Sequence, residues 1–100
     1  MPILEISVLP VGTPTSSISS YIADACKILE QRGLEYQVTP TCTVVEGELD
    51  QLLDVAREMH QAPFANGVNR VVTSMTIDHR QDRPMDLKKQ VQSVTQELKM

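Results

Sequence analysis

The sequence predicts an α+β fold, and three observations predict it. Stretches that alternate between two faces, such as Arg70 to Asp78, have the period of strands. Stretches with apolar residues at i, i+3, i+4 and i+7, such as Leu49 to Met59, have the period of helices. Proline and glycine clusters separate the two kinds of stretch. In chain order they read β-α-β-β-α-β, followed by one more helix.

Ile3 to Leu9 reads as the first strand, with Leu4, Ile6 and Val8 on one face and Glu5 and Ser7 on the other. Pro10-Val11-Gly12-Thr13-Pro14-Thr15 breaks it. Ser16 and Ser17 are candidate N-caps for a helix carrying Ile18, Tyr21, Ile22, Ala25, Ile28 and Leu29. Gly33 is placed to stop that helix in the left-handed conformation. Glu35 to Thr39 alternates as a second strand, Pro40-Thr41 marks a turn, and Cys42 to Glu46 forms a short third strand. Glu46-Gly47-Glu48 ends it, with acids that suit the start of the next helix. That helix carries Leu49, Leu52, Leu53, Ala56 and Met59 as its stripe, with Leu53 at the centre, and Asn66-Gly67 is a stop signal. The fourth strand, Arg70 to Asp78, puts Val71, Thr73, Met75 and Ile77 on one face. Pro84 and Asp86 open a last helix with Leu87, Val91, Val94 and Leu98 as its stripe.

This order is the ferredoxin-like sandwich, an antiparallel four-stranded sheet with helices on one face, here with an extra C-terminal helix. The opposite sheet face then carries Ile3, Leu9 and Val72 among polar residues. A semi-apolar open face predicts a homo-oligomer, a tetramer with a dimer as fallback.

One hundred residues make a single domain, 1–100, without linker or repeat. Hydrophobic residues at 41% and charged residues at 22% fit a soluble globular chain. The net charge of −4, scattered basic residues and three aromatics exclude nucleic acid as the expected partner. No apolar run approaches a membrane span. Cys26 and Cys42 in a chain whose N-terminus has no basic leader predict a cytoplasmic protein with free thiols.

Catalytic chemistry has little support. Cys26, Cys42, His60 and His79 stand at no metal-ligand spacing, so Cys26 reads as core and both histidines as surface. Cys42 and His79 form a thiol–histidine pair only if the fold brings them together, and no nucleophile elbow surrounds Cys42. Gly12 to Ser17 is rich in hydroxyls but lacks the lysine and glycine spacing of a phosphate loop, and reads as a capped turn. Glu46 and Asp78 lie at strand ends, where they favour a helix dipole or a solvated pair with Arg80, or else accept hydrogen bonds from an aminopyrimidine.

Four stretches then coincide with a known pattern: Pro10-Val11-Gly12-Thr13, Ser17-Ile18-Ser19, Thr43-Val44-Val45-Glu46-Gly47, and Arg70-Val71-Val72-Thr73 running on to Asp78-His79-Arg80-Gln81-Asp82. In their order and spacing, over about residues 2 to 98, the chain resembles the small thiamine-binding protein family, related to the YkoF thiamine-binding domain. The resemblance implies a ferredoxin-like fold, a homotetramer or dimer of dimers, and binding of thiamine or its hydroxymethylpyrimidine part, with no catalysis established for the family; no cofactor is expected. It carries over Thr43, Glu46, Thr73, Asp78 and Arg80 as ligand-binding positions. Cys42 stands where the pattern often has glycine, a change that narrows a pocket. The alternative reading is a structural or regulatory assembly protein with no small-molecule chemistry.

Overall fold

The computed structural model describes residues 1–12, 19–82 and 87–98. The elements are β1 (Ile3–Val11), α1 (Ser19–Gln31), β2 (Glu35–Val38), β3 (Thr43–Glu46), α2 (Leu49–Gln61), a 3-10 turn (Ala62–Asn66), β4 (Arg70–Asp78) and α3 (Leu87–Leu98). The expected caps Ser16 and Ser17, the start of the first helical stripe at Ile18, and the helix opening at Pro84 and Asp86 lie outside the described residues.

The four strands form one sheet in the order β2-β3-β1-β4. All three pairings are antiparallel. The architecture is an α+β fold, a four-stranded antiparallel sheet with two packed helices, consistent with a small ferredoxin-like domain. β1 is central. It pairs along its whole length with β4, from Ile3 opposite Asp78 to Val11 opposite Arg70, but with β3 only from Ile3 opposite Glu46 to Ile6 opposite Thr43.

Because side chains alternate across a strand, this register fixes two faces. Leu4, Val45, Tyr36 and Ile77 fall in one cross-strand row beneath the helices. Leu4, Ile6 and Val45 join Leu29 of α1 and Leu52, Val55, Ala56 and Met59 of α2 in the core. Each large apolar side chain sealed there contributes roughly 1.5–3 kcal/mol.

Two expectations about exposure are corrected. Leu53, expected at the centre of the α2 stripe, is 46% exposed, whereas Val55 is fully buried. The segment contains two overlapping helical stripes that share Leu52, Ala56 and Met59, and α2 docks on the one running through Leu52, Val55, Ala56 and Met59. Ile3, expected to face water, is 6% exposed, while Leu9 and Val72 are exposed as expected. Ile3 has strand neighbours on both sides, Glu46 and Asp78; Leu9 lies beyond the reach of β3 and has only Val72.

α2 stops at Gln61 because Pro63 has no N–H to return to Met59 and its ring clashes with that carbonyl. The chain continues as a 3-10 turn and leaves it at Gly67, whose φ of 83° is left-handed. Lys88 Nζ lies 3.8 Å from the Glu35 carboxylate and links α3 to β2. The α3 residues Val91, Val94 and Leu98 are exposed.

Candidate functional site

A cavity of about 100 Å³ lies between α1 and the helix-bearing sheet face, at the Leu9 end of β1. Ile6 and Val8 of β1, Tyr21, Asp24 and Ala25 of α1, and Met59 of α2 contribute to its walls. The connection from β2 to β3 closes one side, and the 3-10 turn another.

That connection is held by its own residues. Thr39 Oγ1 donates to the Cys42 carbonyl at 2.8 Å and accepts from the Cys42 N–H at 3.1 Å. The Thr39 N–H also donates to the Cys42 carbonyl, at 2.8 Å. Pro40, second of the four, pre-sets the φ that a tight turn needs. The result is a rigid corner that holds Cys42 and Thr43 against the cavity.

Thr43 is the single buried polar residue of the described core, 7% exposed. No hydrogen-bond partner for its hydroxyl is found among the described residues. Asp24 is half-buried and, among the described residues, carries the only charge on the cavity wall and has no partner. Apolar walls with a hydroxyl, a thiol and one carboxylate suit a flat ring that bears amino groups or positive charge. The cavity, partly open to solvent, is of the order of size of one six-membered ring, since a closed dry cavity of about 150 Å³ takes up benzene.

The five positions expected from the sequence do not converge. Thr43 and Thr73 lie on the helix-bearing face on either side of β1, opposite Ile6 and Val8 respectively. Thr73 is engaged by His60, whose Nδ1 lies 2.7 Å from the Thr73 hydroxyl. His60 also packs edge-on against Phe64, with ring centroids 5.9 Å apart. This corrects the expectation that both histidines are surface residues: His60 is half-buried because it ties α2 to β4, while His79 is exposed.

Glu46 and Asp78 lie on the opposite sheet face, both in register with Ile3. Glu46 borders a separate hollow together with Glu35 and Lys88. Arg80 follows β4 and forms a bidentate pair with Asp82 at 2.9 and 2.5 Å, which raises the guanidinium pKa above its ordinary value. Cys42 and His79 are far apart: the register carries Cys42 toward Ser7 and His79 toward Pro2, roughly 15 Å along the sheet. No thiol–histidine pair forms. Both cysteines are free thiols, and no group of three metal-ligating side chains is found among the described residues.

Sequence reasoning missed Tyr21 and Asp24 as wall residues. One signal was available. Asp24 is a charge set among Tyr21, Ile22, Ala25 and Ile28 on an otherwise apolar helix face.

Comparison with known proteins adds a family. A family profile described as "Thiamine-binding protein" matches residues 4–95. The UPF0045 protein YqgV of Bacillus subtilis is 41% identical over 98% of both chains. The solved structure of the hypothetical protein MJ1052 of Methanocaldococcus jannaschii superposes with a TM-score of 0.82 at 30% identity, over 94% of this chain and 95% of that one. A Thermotoga maritima protein, provisionally named for thiamine biosynthesis or salvage, superposes with a TM-score of 0.76 over 93% of this chain and 97% of that one. At 22% identity that last likeness speaks to the fold alone.

Proposed function

The chain belongs to the thiamine-binding protein family, and from that premise we propose that it binds thiamine, or the related hydroxymethylpyrimidine, without catalysis, in the cavity between α1 and the sheet. The observation that carries the reading is Thr43, a residue nine-tenths buried on a cavity wall whose hydroxyl has no partner among the described residues. The hydroxyl is not sealed in the core, since no side-chain polar atom of the described residues is both buried and unpaired; on a cavity wall it is open to a ligand donor or acceptor.

Of the five positions carried over from the family pattern, Thr43 is the one that meets the ligand in this reading. Tyr21, Asp24 and Cys42 stand beside it. Glu46, Thr73, Asp78 and Arg80 act elsewhere, in packing or on the open sheet face. The working form is a cytoplasmic homotetramer of ferredoxin-like domains. Its support is the exposure of Leu9 and Val72 on the uncovered sheet face, together with two free thiols.

Thermal unfolding with and without thiamine tests the reading. Ligand at one hundred times its Kd stabilises by about 2.7 kcal/mol. For a domain this size that corresponds to a rise in Tm of roughly 10–20 °C. An unchanged Tm at millimolar thiamine and hydroxymethylpyrimidine defeats the proposal. It then favours the second reading, an assembly protein, for which the exposed Val91, Val94 and Leu98 stripe of α3 speaks.

A further inference from the structure

Among the described residues Cys42 is the one thiol on the cavity wall, and holding a ring gives it no chemistry to do. It is half-buried rather than sealed, so a small reagent in the cavity reaches its sulfur. Cys26, the second cysteine of the chain, does not line the cavity and lies against the Tyr36 hydroxyl. A sulfur partner for Cys42 at that wall therefore comes from outside the chain.

Two features beside Cys42 suit exchange with a disulfide. The first is a hydrogen bond that serves the sulfur in both protonation states. Thr39 Oγ1 lies 3.5 Å from Cys42 Sγ, and either atom is able to donate. The protonated thiol donates to Thr39. Beside a thiolate, the Thr39 hydroxyl turns its proton from the Cys42 carbonyl to the sulfur, and that carbonyl keeps the Thr39 N–H at 2.8 Å. The second is Thr43, 7% exposed on the same wall, whose hydroxyl has no partner among the described residues. It is open to the polar end of a short chain held on the adjacent residue's sulfur. Size limits that chain. A cavity of about 100 Å³ has room for a few heavy atoms and not for a tripeptide such as glutathione.

We propose that Cys42 is a site of reversible mixed-disulfide formation with low-molecular-weight disulfides that carry a short, uncharged polar tail, and that the adduct closes the cavity to the ring it otherwise holds. The Cys42 thiol gives its proton to solvent, and the thiolate attacks one sulfur of the reagent. A bond forms between Sγ and that sulfur while the reagent's own S–S bond breaks. The second sulfur leaves as a thiolate and takes up a proton, so Cys42 is oxidised as the leaving thiol is reduced. Excess thiol runs the exchange backwards. The closing of the cavity rests on the thiamine-binding reading; the exchange at Cys42 does not.

Intact mass spectrometry of the full chain treated with hydroxyethyl disulfide tests the exchange. Cys26→Ser, which keeps Cys42, gains one hydroxyethylthio group at least roughly tenfold faster than Cys42→Ser, which keeps Cys26. Denaturant abolishes the difference, because it removes the surroundings that set the two thiols apart. Glutathione disulfide, too large for the cavity, shows no preference for Cys42. Where circular dichroism finds a variant misfolded, the adduct is located in the wild type on tryptic peptides 1–27 or 33–57. Equal rates at the two cysteines of the folded chain, or a faster Cys26, overturn the site. An equal preference with glutathione disulfide overturns the size limit. Calorimetric titration of the modified Cys26→Ser protein then gives a thiamine affinity at least roughly tenfold lower, regained after dithiothreitol. Unchanged affinity of the fully modified protein overturns the closing and leaves the exchange standing. Absence of thiamine binding by the folded, unmodified wild type overturns the binding reading and the closing with it, while the rates still decide the exchange.

Discussion

Leu52 and Leu53 are neighbours in the chain with opposite surroundings. Leu52 is fully buried and Leu53 is 46% exposed. Leu52→Ala is therefore expected to cost about 2–5 kcal/mol in a denaturant titration. Leu53→Ala is expected to cost less than about 1 kcal/mol in the same titration. At Thr43 the expectation concerns binding. Thr43→Val keeps the shape and removes the hydroxyl, so thiamine affinity falls by roughly twofold to tenfold, the worth of one neutral hydrogen bond. Glu46→Gln, on the other sheet face, leaves affinity unchanged, and calorimetric titration of both variants separates them. Tyr36 provides a pH-dependent case. Its hydroxyl donates to Glu30 Oε1 at 2.7 Å, and that bond, with partial desolvation, pushes the phenol up to about 12. The unfolded phenol ionises near 10. The folded state thus favours the protonated form, and this stabilisation is complete below pH about 10 and lost as pH rises through about 12. In a Tyr21→Phe background, phenolate absorbance is expected to rise with a midpoint near 12, and Glu30→Ala to bring that midpoint down toward 10.

Elements were legible in the sequence to the degree that one periodicity dominated. β4 runs from Arg70 to Asp78, where strict alternation puts it. α2 was legible as a helix but not in its rotation, because Leu53 and Val55 extend two equally good stripes and only the sheet beneath chooses between them. The 3-10 turn was not legible, since Pro63 ends an α-helix without fixing the conformation of the residues after it. The start of α2 has a local cause that a single substitution can test. The Glu48 N–H donates to Gln51 Oε1 at 3.0 Å, one half of a reciprocal cap. Gln51→Ala is expected to cost about 0.5–1.5 kcal/mol of stability, read in urea, with no change in ligand affinity. The cavity was the least legible part. Asp24 belongs to a helix and Thr43 to a strand nineteen positions on. Only the docking of α1 on the sheet brings them to one wall.

For the whole molecule, the two sheet faces have different tasks. One carries the helices and the core. The other is polar at the Glu35, Glu46 and Asp78 end and apolar at the Leu9 and Val72 end. α3 adds Val91, Val94 and Leu98 as a further exposed apolar stripe. Burying these surfaces between copies predicts that light scattering at micromolar protein gives a tetramer mass. Val72→Lys is expected to lower that mass toward the monomer, since an unpaired charge at a buried contact opposes association. A monomer mass for the wild type overturns the oligomer.

The placement of Cys42 has a practical consequence. Its thiol belongs to a cavity wall, whereas the thiol of Cys26, on α1, does not. An alkylating reagent therefore meets two sulfur atoms of one chain, one of which the proposed binding mode would shield with a ring. On that proposal, occupancy is expected to slow the labelling of Cys42 and to leave Cys26 as an internal clock, so peptide mass spectrometry of a timed reaction turns the chain into a gauge of its own loading.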